Sequence, residues 1–401
     1  MIKIVSTVAI FVNTLWPLGG GGELATYLYA KLMQDIGVKP IFIVNELLNG
    51  MAHQHKFKVV SLRRVGRGKY SISLDFKALV KILRNVDVTY FVASDLELIP
   101  FVKIFINKPV VVHIHSYYPL CPIGHMYNFY GNKVCDGSWS DCARCIWKYE
   151  AQRRNFSEAF LSTTLNSTIG GFFLRTLRLA DAIIFVSETQ RRIFLELSSK
   201  KGVYISPEKT YVIYNPLPDL KPVEMEGDDI GFLGGFDPIK GFKILYEAWK
   251  KIFPKHPQNR LYVTKGKPSK VLEKFGIIVY RRLMPPIEIL RVIRVVRALA
   301  VPSLSPEPAP YVCVETLLYG RLLVASNIGG IPEIVGGLPG VRLTPPGDED
   351  KLADALEWIL SLKREEAVEL GLRNREGIIK RFDNSKSVKQ LIEIFVKLSS
   401  R

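Results

Sequence analysis

The chain contains no uncharged apolar run that reaches the ~18–20 residues a membrane-crossing helix needs. It also has no short repeat and no low-complexity tract. These absences argue against a helical membrane span, a solenoid and a disordered scaffold. Acidic residues are scarce, 38 Asp and Glu against 55 Lys and Arg, for a net charge of +17. They form no cluster with the spacing of Mg²⁺ ligands. The basic balance and 17 Tyr raise the alternative of a nucleic-acid-binding protein. Yet no zinc-finger, RRM or helix-turn-helix signature is present. The excess is spread, with 26 basic against 16 acidic residues in 1–220 and 29 against 22 in 221–401. Anionic small molecules and an anionic membrane surface are the expected partners, and nucleic acid is not.

Apolar residues make up 48% of the sequence, enough for packed cores, and 401 residues exceed what one core usually supports, so two domains are expected. The opening MIKIVSTVAIFVNTLWPLGGGG could pass for a signal peptide. Glycines and Glu23 follow it directly with no small-residue cleavage pattern, which favours a buried first strand. The expected location is cytoplasmic, peripheral at the inner face of the membrane.

Lys3–Ile10 reads as a strand, Glu23–Ile36 as a helix with Leu24, Tyr27, Leu28 and Leu32 on one face, and Lys39–Val44 as a second strand. That is a βαβ unit and implies a parallel sheet. Further short β-rich runs lie at Val88–Ala93, Pro109–Ile114 and Ala182–Val186. The turn-rich Tyr214–Asp219 marks an interdomain crossing. A second series follows, with strands at Ile230–Leu233, Leu261–Thr264, Ile277–Tyr280, Leu299–Pro302 and Leu322–Ser326. Helices are expected at Phe242–Ile252, Pro286–Val296, Tyr311–Tyr319, Asp348–Leu362 and Ser385–Leu398. The fold class is α/β, two Rossmann-like units in tandem.

The stretch VPSLSPEPAPYVCVETLLYG from Val301 holds Glu307 on a loop stiffened by Pro306, Pro308 and Pro310. A helix beginning after Pro310 presents the backbone N–H groups of Tyr311–Val314 to an anion, with Glu315 one turn inside. Two carboxylates around an N–H cluster suit sugar and ribose hydroxyls beside a diphosphate. A solvated Glu307 and a locally paired Glu315 form the competing reading.

This stretch resembles the donor-site signature of retaining GT-B glycosyltransferases of family 4, on Pro302-Ser303, Glu307, Glu315, Gly320, Gly329-Gly330 and Glu333. Pro310, Thr316 and Leu322 depart from the usual Gly, Ala and Pro. The resemblance implies two Rossmann-like domains facing across a cleft that holds the donor. It assigns 1–215 to an acceptor domain with a Cys-rich insertion at 121–145, and 216–382 to a nucleotide-sugar domain. Residues 383–401 become a helix packing back on the first domain. Glu307 is implied to contact the donor sugar and Glu315 the ribose. Gly234–Gly241 resembles the family's G-R-x4-K-G turn, with Lys240 present to grip the diphosphate and Gly235 where Arg is common. Gly19–Glu23 resembles its G-G-x-E loop, which brings Gly20 and Gly21 to the phosphates. The same glycines, with Glu46, formally fit a dinucleotide fingerprint, but the intervening Val12–Leu18 breaks its geometry.

Val110–Ser116 is a strand running into a loop, with His113 and His115 on one face. It resembles the family's HD-Y-x-x-x-C-P element with Ser116 in place of Asp, which implies that His115 binds the donor sugar or acceptor hydroxyl. The implied activity is metal-independent, retaining transfer of a hexose from a nucleotide-diphosphate sugar to a glycan or lipid-linked acceptor, as in cell-envelope or glycan biosynthesis. No cofactor is required, and departure of the diphosphate is assisted by Lys240 and the N–H groups. A non-catalytic GT-B scaffold is the alternative that Gly235 and Ser116 motivate.

Cys121, Cys135, Cys142 and Cys145 fall within 25 residues, and only Cys313 lies outside. A structural zinc or iron–sulfur centre, disulfides of the kind seen in thermophiles, and free thiols all remain open. Lys56, Lys58, Arg63, Arg64, Arg67 and Lys69 accumulate in a stretch with no acidic residue, and they are either a face for anionic lipid or a solvated loop. Arg291, Arg294 and Arg297 recur every three residues and read as an exposed stripe.

Overall fold

In a computed structural model the described residues are 5–44, 57–61, 64–65, 72–73, 76–92, 94–138, 140–281 and 286–400. Glu46 and most of the basic tract (Lys56, Arg63, Arg67, Lys69 and the side chain of Arg64) lie outside them. The chain divides into two compact units, Met1–Pro216 with Asp383–Arg401, and Leu217–Phe382.

In the first unit, strands β1 (Thr7–Val12), β2 (Lys39–Val44), β3 (Lys58–Ser61), β4 (Val88–Phe91), β5 (Val110–Ile114), β6 (Ala182–Phe185) and β7 (Thr210–Val212) form one sheet. Its order is β7-β6-β5-β4-β1-β2-β3, and its pairings are parallel. Its central strands are buried along their length, which explains their continuous apolar sequences rather than alternating ones. The order reverses between β1 and β4, and this is where doubly wound sheets open a crevice at their carboxyl ends.

Helix α1 (Gly21–Asp35) buries Leu24, Ala25, Thr26, Tyr29, Ala30 and Met33. The expected face through Tyr27, Leu28 and Leu32 is therefore displaced. Small side chains at 25, 26 and 30 let the backbone approach its neighbours, and this outweighs the raw apolar count. The C-terminal helix Asn384–Ser399 buries Val388, Leu391, Ile394, Phe395 and Leu398, spaced at three and four. They share a core cluster with Val8, Ile10 and Tyr90, and the Phe395 ring stands edge-on to Tyr90 at 5.6 Å. Helices α2 (Cys142–Ala151) and α3 (Phe156–Thr176) follow β5 as an antiparallel pair.

The second unit repeats the plan. Strands β8 (Asp229–Phe232), β9 (Leu261–Val263), β10 (Ile277–Val279), β11 (Val296–Val301), β12 (Leu322–Ser326) and β13 (Val341–Thr344) are ordered β10-β9-β8-β11-β12-β13. All pair in parallel. The switch point lies between β8 and β11. Its core gathers Ile230, Phe232, Trp249, Leu261, Leu322 and Leu356. Helix α4 (Phe242–Ile252) contributes Trp249, whose indole N–H donates to the Phe275 carbonyl at 2.8 Å.

Strand β11 begins three residues before the expected Leu299. The helix Pro286–Val295 runs directly into it, because Val296 and Ala298 are needed in the sheet centre. Arg297 is correspondingly not part of an exposed stripe. It is 4% exposed, its guanidinium pairs with Asp228, and it donates to the carbonyls of Ile359 (2.9 Å) and Leu362 (3.0 Å). A buried guanidinium whose two terminal nitrogens are paired with a carboxylate and backbone carbonyls is tolerated where an unpaired one is not. Arg294 does face solvent and pairs with Glu226.

Candidate functional site

The loops that leave the carboxyl ends of β8, β11 and β12 interlock. After β8, Gly234 and Gly235 lead to Asp237, whose carboxylate accepts from the Ile239 N–H (3.2 Å) and starts a short 3₁₀ turn. That turn ends at Gly241 with φ +81°. A Cβ on Gly241 would stand 1.9 Å from the Pro302 carbonyl oxygen, so glycine is required twice, by conformation and by contact. The Leu304 N–H donates to the Ile239 carbonyl at 2.8 Å, which binds the β11 loop to the β8 loop. After β12, Gly329 has φ +60°, and a Cβ there would lie 2.4 Å from the Glu307 carbonyl oxygen. The Gly330 N–H donates to that carbonyl at 2.7 Å. The paired glycines thus hold the Glu307 backbone from the far side.

This brings Glu307 to Lys240, with Nζ 2.5 Å from Oε1. The Ser303 hydroxyl donates to the same oxygen at 3.2 Å. The Lys240 side chain is 38% exposed and that of Glu307 16%. Burial works against the Lys240 ammonium, but the Glu307 carboxylate outweighs it and holds its pKa above the usual lysine value. The pair is a charged, half-open group at the switch point of the sheet.

Helix α5 (Tyr311–Leu318) starts at Pro310 with no side-chain cap. The expected N–H cluster of Tyr311–Val314 is narrower than the spacing implied, because the Cys313 N–H donates to the Pro310 carbonyl at 3.1 Å. Tyr311 is buried and Val312 half-buried. Among the described residues the carboxyl of Glu315, half-buried on the next turn, makes no ion pair or side-chain hydrogen bond, and burial pushes its pKa up to about 7. A carboxyl held near neutrality by desolvation alone, beside an uncapped helix start, is poised to accept hydroxyl donors.

Gly235 has φ +67°, and a Cβ there would meet the Lys265 carbonyl at 3.1 Å and its side chain at 3.2 Å. The stem of Lys265, an exposed residue just past β9, thus lies along Gly235. Sequence reasoning overlooked it. The only signal was a Thr-Lys-Gly-Lys run at the end of a short strand.

In the first unit, α1 begins after Gly20 without a side-chain cap. The Glu23 carboxylate turns back to accept from the Gly20 N–H at 2.9 Å, leaving Gly21 at the helix start. Gly22 lies against His115, since a Cβ on it would meet the His115 Cβ at 3.3 Å. His115 follows β5 and stacks on His113, ring centroids 4.2 Å apart. His113 is fixed by the Tyr90 hydroxyl at Nδ1, 2.5 Å away. Among the described residues, neither ring nitrogen of His115 has a partner. Burial depresses its pKa to about 3, so its imidazole is neutral and acts as a donor or acceptor rather than a cation. Gln190 steadies the loop after it, donating to the Ser116 carbonyl at 2.8 Å and accepting from the Val186 N–H at 3.0 Å.

Cys121, Cys135, Cys142 and Cys145 line one cavity and are free thiols. No disulfide joins them. Among the described residues, no three His, Cys, Asp or Glu side chains are already disposed as ligands of a metal ion, so the expected centre is not preformed.

Residues 227–362 match the family described as Glycosyl transferases group 1. The chain is 25% identical over 254 residues to the alpha-maltose-1-phosphate synthase of Mycolicibacterium smegmatis, covering 55% of this chain and 64% of that protein. It is 28% identical over 183 residues to the phosphatidyl-myo-inositol mannosyltransferase of the same organism, covering 44% and 47%. The matched segments thus span from under half to just under two thirds of these relatives. Among solved structures, Anabaena HepE in complex with UDP and glucose aligns with TM-score 0.67 at 18% identity, covering 98% of this chain and 99% of that one. The sucrose-phosphate synthase of Thermosynechococcus elongatus aligns with TM-score 0.68 at 16% identity, covering 98% and 99%. The fold is GT-B, with two Rossmann-like α/β units.

Proposed function

We propose that the protein is a glycosyltransferase that moves a hexose from a nucleotide-diphosphate sugar to a hydroxyl of a glycan or lipid-linked acceptor with retention and without a metal. The observation that carries the reading is the Lys240–Glu307 pair, 2.5 Å apart at the sheet's switch point beside an uncapped helix. The donor's diphosphate takes the Lys240 ammonium and the Tyr311–Val312 end of α5. Glu307 accepts from sugar hydroxyls and Glu315 from the ribose. Lys265, packed on Gly235, supplies a second cation where an arginine is absent. The anomeric C–O bond to the diphosphate breaks, the acceptor oxygen bonds to the anomeric carbon on the same face, and the acceptor's proton passes to the departing phosphate oxygen. Charge accumulates on the diphosphate, so fixed positive groups there lower the barrier. His115 and the Gly20–Gly22 turn form a second polar locus, in the N-terminal unit. A non-catalytic scaffold would bind a donor without turnover, and mass-spectrometric product detection with UDP-, GDP- and ADP-sugars separates the two.

Glu315 gives this reading a pH signature. Its pKa of about 7 leaves it partly protonated at neutrality, whereas a carboxylate that accepts ribose hydroxyls is ionised. Donor binding at pH 7 is therefore expected to release a fraction of a proton, seen by titration calorimetry in buffers of different ionisation enthalpy. Glu315→Gln abolishes that release. For stability the sign is opposite. With the folded pKa above the ordinary 4.5, the contribution is full below about 4.5 and is lost as pH rises through 7. The Gln variant is expected to lack this decline.

Peripheral contact with an anionic membrane is supported by α3. It exposes Phe156, Phe160, Leu161 and Phe172, carries no charge from Ala159 to Leu174, and is flanked by Arg153, Arg154, Arg175 and Arg178. Apolar side chains between arginines suit a headgroup boundary. The protein is expected to co-sediment with phosphatidylglycerol vesicles and not with phosphatidylcholine ones, and Phe160→Ser with Leu161→Ser should remove that binding. Equal binding by the double variant, or a dimer that covers this face in solution, rejects the membrane reading.

A further inference from the structure

The segment between β5 and α2 is long and nearly devoid of regular structure. Among its described residues the only strand pairing is the two-residue hairpin Tyr127–Asn128 with Lys133–Val134. An irregular loop of this length needs something to hold it. Four of the five cysteines of the chain lie along it and the first turn of α2, and all four line one cavity together with Lys201. They arrive from three places: Cys121 on the loop after β5, Cys135 just past the hairpin, and Cys142 with Cys145 on the first turn of α2.

We infer that Cys121, Cys135, Cys142 and Cys145 together bind one zinc ion as thiolates, and that the ion fixes the loop that follows His115. This assignment is independent of the donor site in the C-terminal unit. Several features around the sulfurs fit it. The Phe129 N–H is 3.3 Å from the Cys145 sulfur and the Gly137 N–H 3.4 Å from that of Cys135. Backbone N–H groups aimed at sulfur stabilise thiolates and orient them as ligands. The Lys201 ammonium lies 3.6 Å from the Cys142 sulfur, a cation suited to the net negative charge of a tetrathiolate. The spacing C-x13-C-x6-C-x2-C ends in the i, i+3 pair that puts two ligands on one helix face.

None of the four cysteines is in a disulfide. The sulfurs of Cys142 and Cys145 donate towards the carbonyls of Ser138 (3.4 Å) and Tyr127 (3.5 Å). Binding releases the four thiol protons to solvent and turns the sulfurs from those carbonyls onto the ion. Zinc stays divalent throughout, so no oxidant or reductant is needed. The gain falls on the active-site strand. The Cys121 N–H donates to the Tyr117 carbonyl at 2.8 Å, so an ion on Cys121 braces the turn two residues beyond His115.

The test uses the purified full chain. Elemental analysis after dialysis against zinc is expected to show one zinc per chain. A Co²⁺ titration should saturate at one equivalent with thiolate-to-metal charge-transfer and tetrahedral ligand-field bands. Under native conditions DTNB should titrate four more thiols after chelation than before it. Cys142→Ser with Cys145→Ser should lose the zinc equivalent, while Cys313→Ser keeps it. Where the double variant fails to fold, the cobalt spectrum and thiol count of the unmodified protein decide the matter. The inference is overturned by thiols equally reactive with and without chelator, by a disulfide among the four in non-reducing peptide mass spectra, or by iron with inorganic sulfide in place of zinc.

Discussion

Lys240→Ala is expected to reduce turnover of the nucleotide-sugar donor by about 10²–10³-fold, the usual result of removing one positive group aimed at developing charge. Lys240 is partly exposed, and among the described residues it is anchored by the Glu307 carboxylate and the turn that carries it. The protein should therefore fold normally, with an unchanged far-UV spectrum and a melting temperature within a few degrees. The effect should divide between binding and chemistry, because a cation that touches the diphosphate in the ground state touches it more strongly as the sugar leaves. Lys240→Arg should recover part of the activity, as it keeps the charge while changing the reach. Glu307→Gln provides the complement: it frees the ammonium from its partner and removes an acceptor for sugar hydroxyls, so KM rises even where the diphosphate alone binds as before. If Lys240→Ala shows wild-type kcat/KM with a donor the native protein turns over, the pair is an ion pair of the fold and nothing more.

Gly241→Ala should be the most destabilising single substitution in this site. The residue sits at φ +81°, and the added carbon would overlap the Pro302 carbonyl oxygen at 1.9 Å. Left-handed strain alone costs about 1 kcal/mol, and the backbone overlap brings the total to roughly 3 kcal/mol. For a domain of this size that lowers Tm by roughly 6–12 °C. Relief requires the β8 and β11 loops to part, which moves Lys240 away from Glu307. Activity should therefore fall further than stability at a temperature where the variant remains folded. Gly337→Ala supplies the control, since it has a similar φ of +77° and no atom within 4 Å of the added carbon. It should cost only the conformational term and leave turnover intact. Equal losses in both variants would show that the contact with Pro302 is not what holds the site.

Much of this arrangement was legible without coordinates. Buried strands announce themselves as apolar runs, so Lys39–Val44 and Leu322–Ser326 fall at their expected bounds, and the helix Phe242–Ile252 does so through apolar residues spaced at three and four. The proline-bracketed Glu307 loop and the glycines that flank it could be read because proline and glycine act through local backbone rules. Where those rules are not in control, the reading fails. Helix Arg364–Arg381 buries only Ala367, Gly371, Asn374 and Ile378. Its face is small and polar because a Cβ on Gly371 would stand 2.2 Å from the Gly320 carbonyl, and close packing erases the apolar stripe that normally marks a helix. Arg321 gives no hint in sequence of being buried. Its guanidinium donates to the carbonyls of Ile293, Val223 and Glu224 at 2.7–2.8 Å.

The sequence alone therefore determined the α/β class, two tandem units, the glycine turns and the residue types able to meet a diphosphate and a sugar, because each follows from local periodicity and backbone freedom. Tertiary structure alone decided that Lys240 meets Glu307, that Lys265 lies along Gly235, that Arg297 is buried rather than exposed, that His115 is neutral, and that four cysteines face one cavity. These depend on distances between residues far apart in the chain and on how much water is removed from around each charge, and neither quantity is encoded in spacing along the sequence.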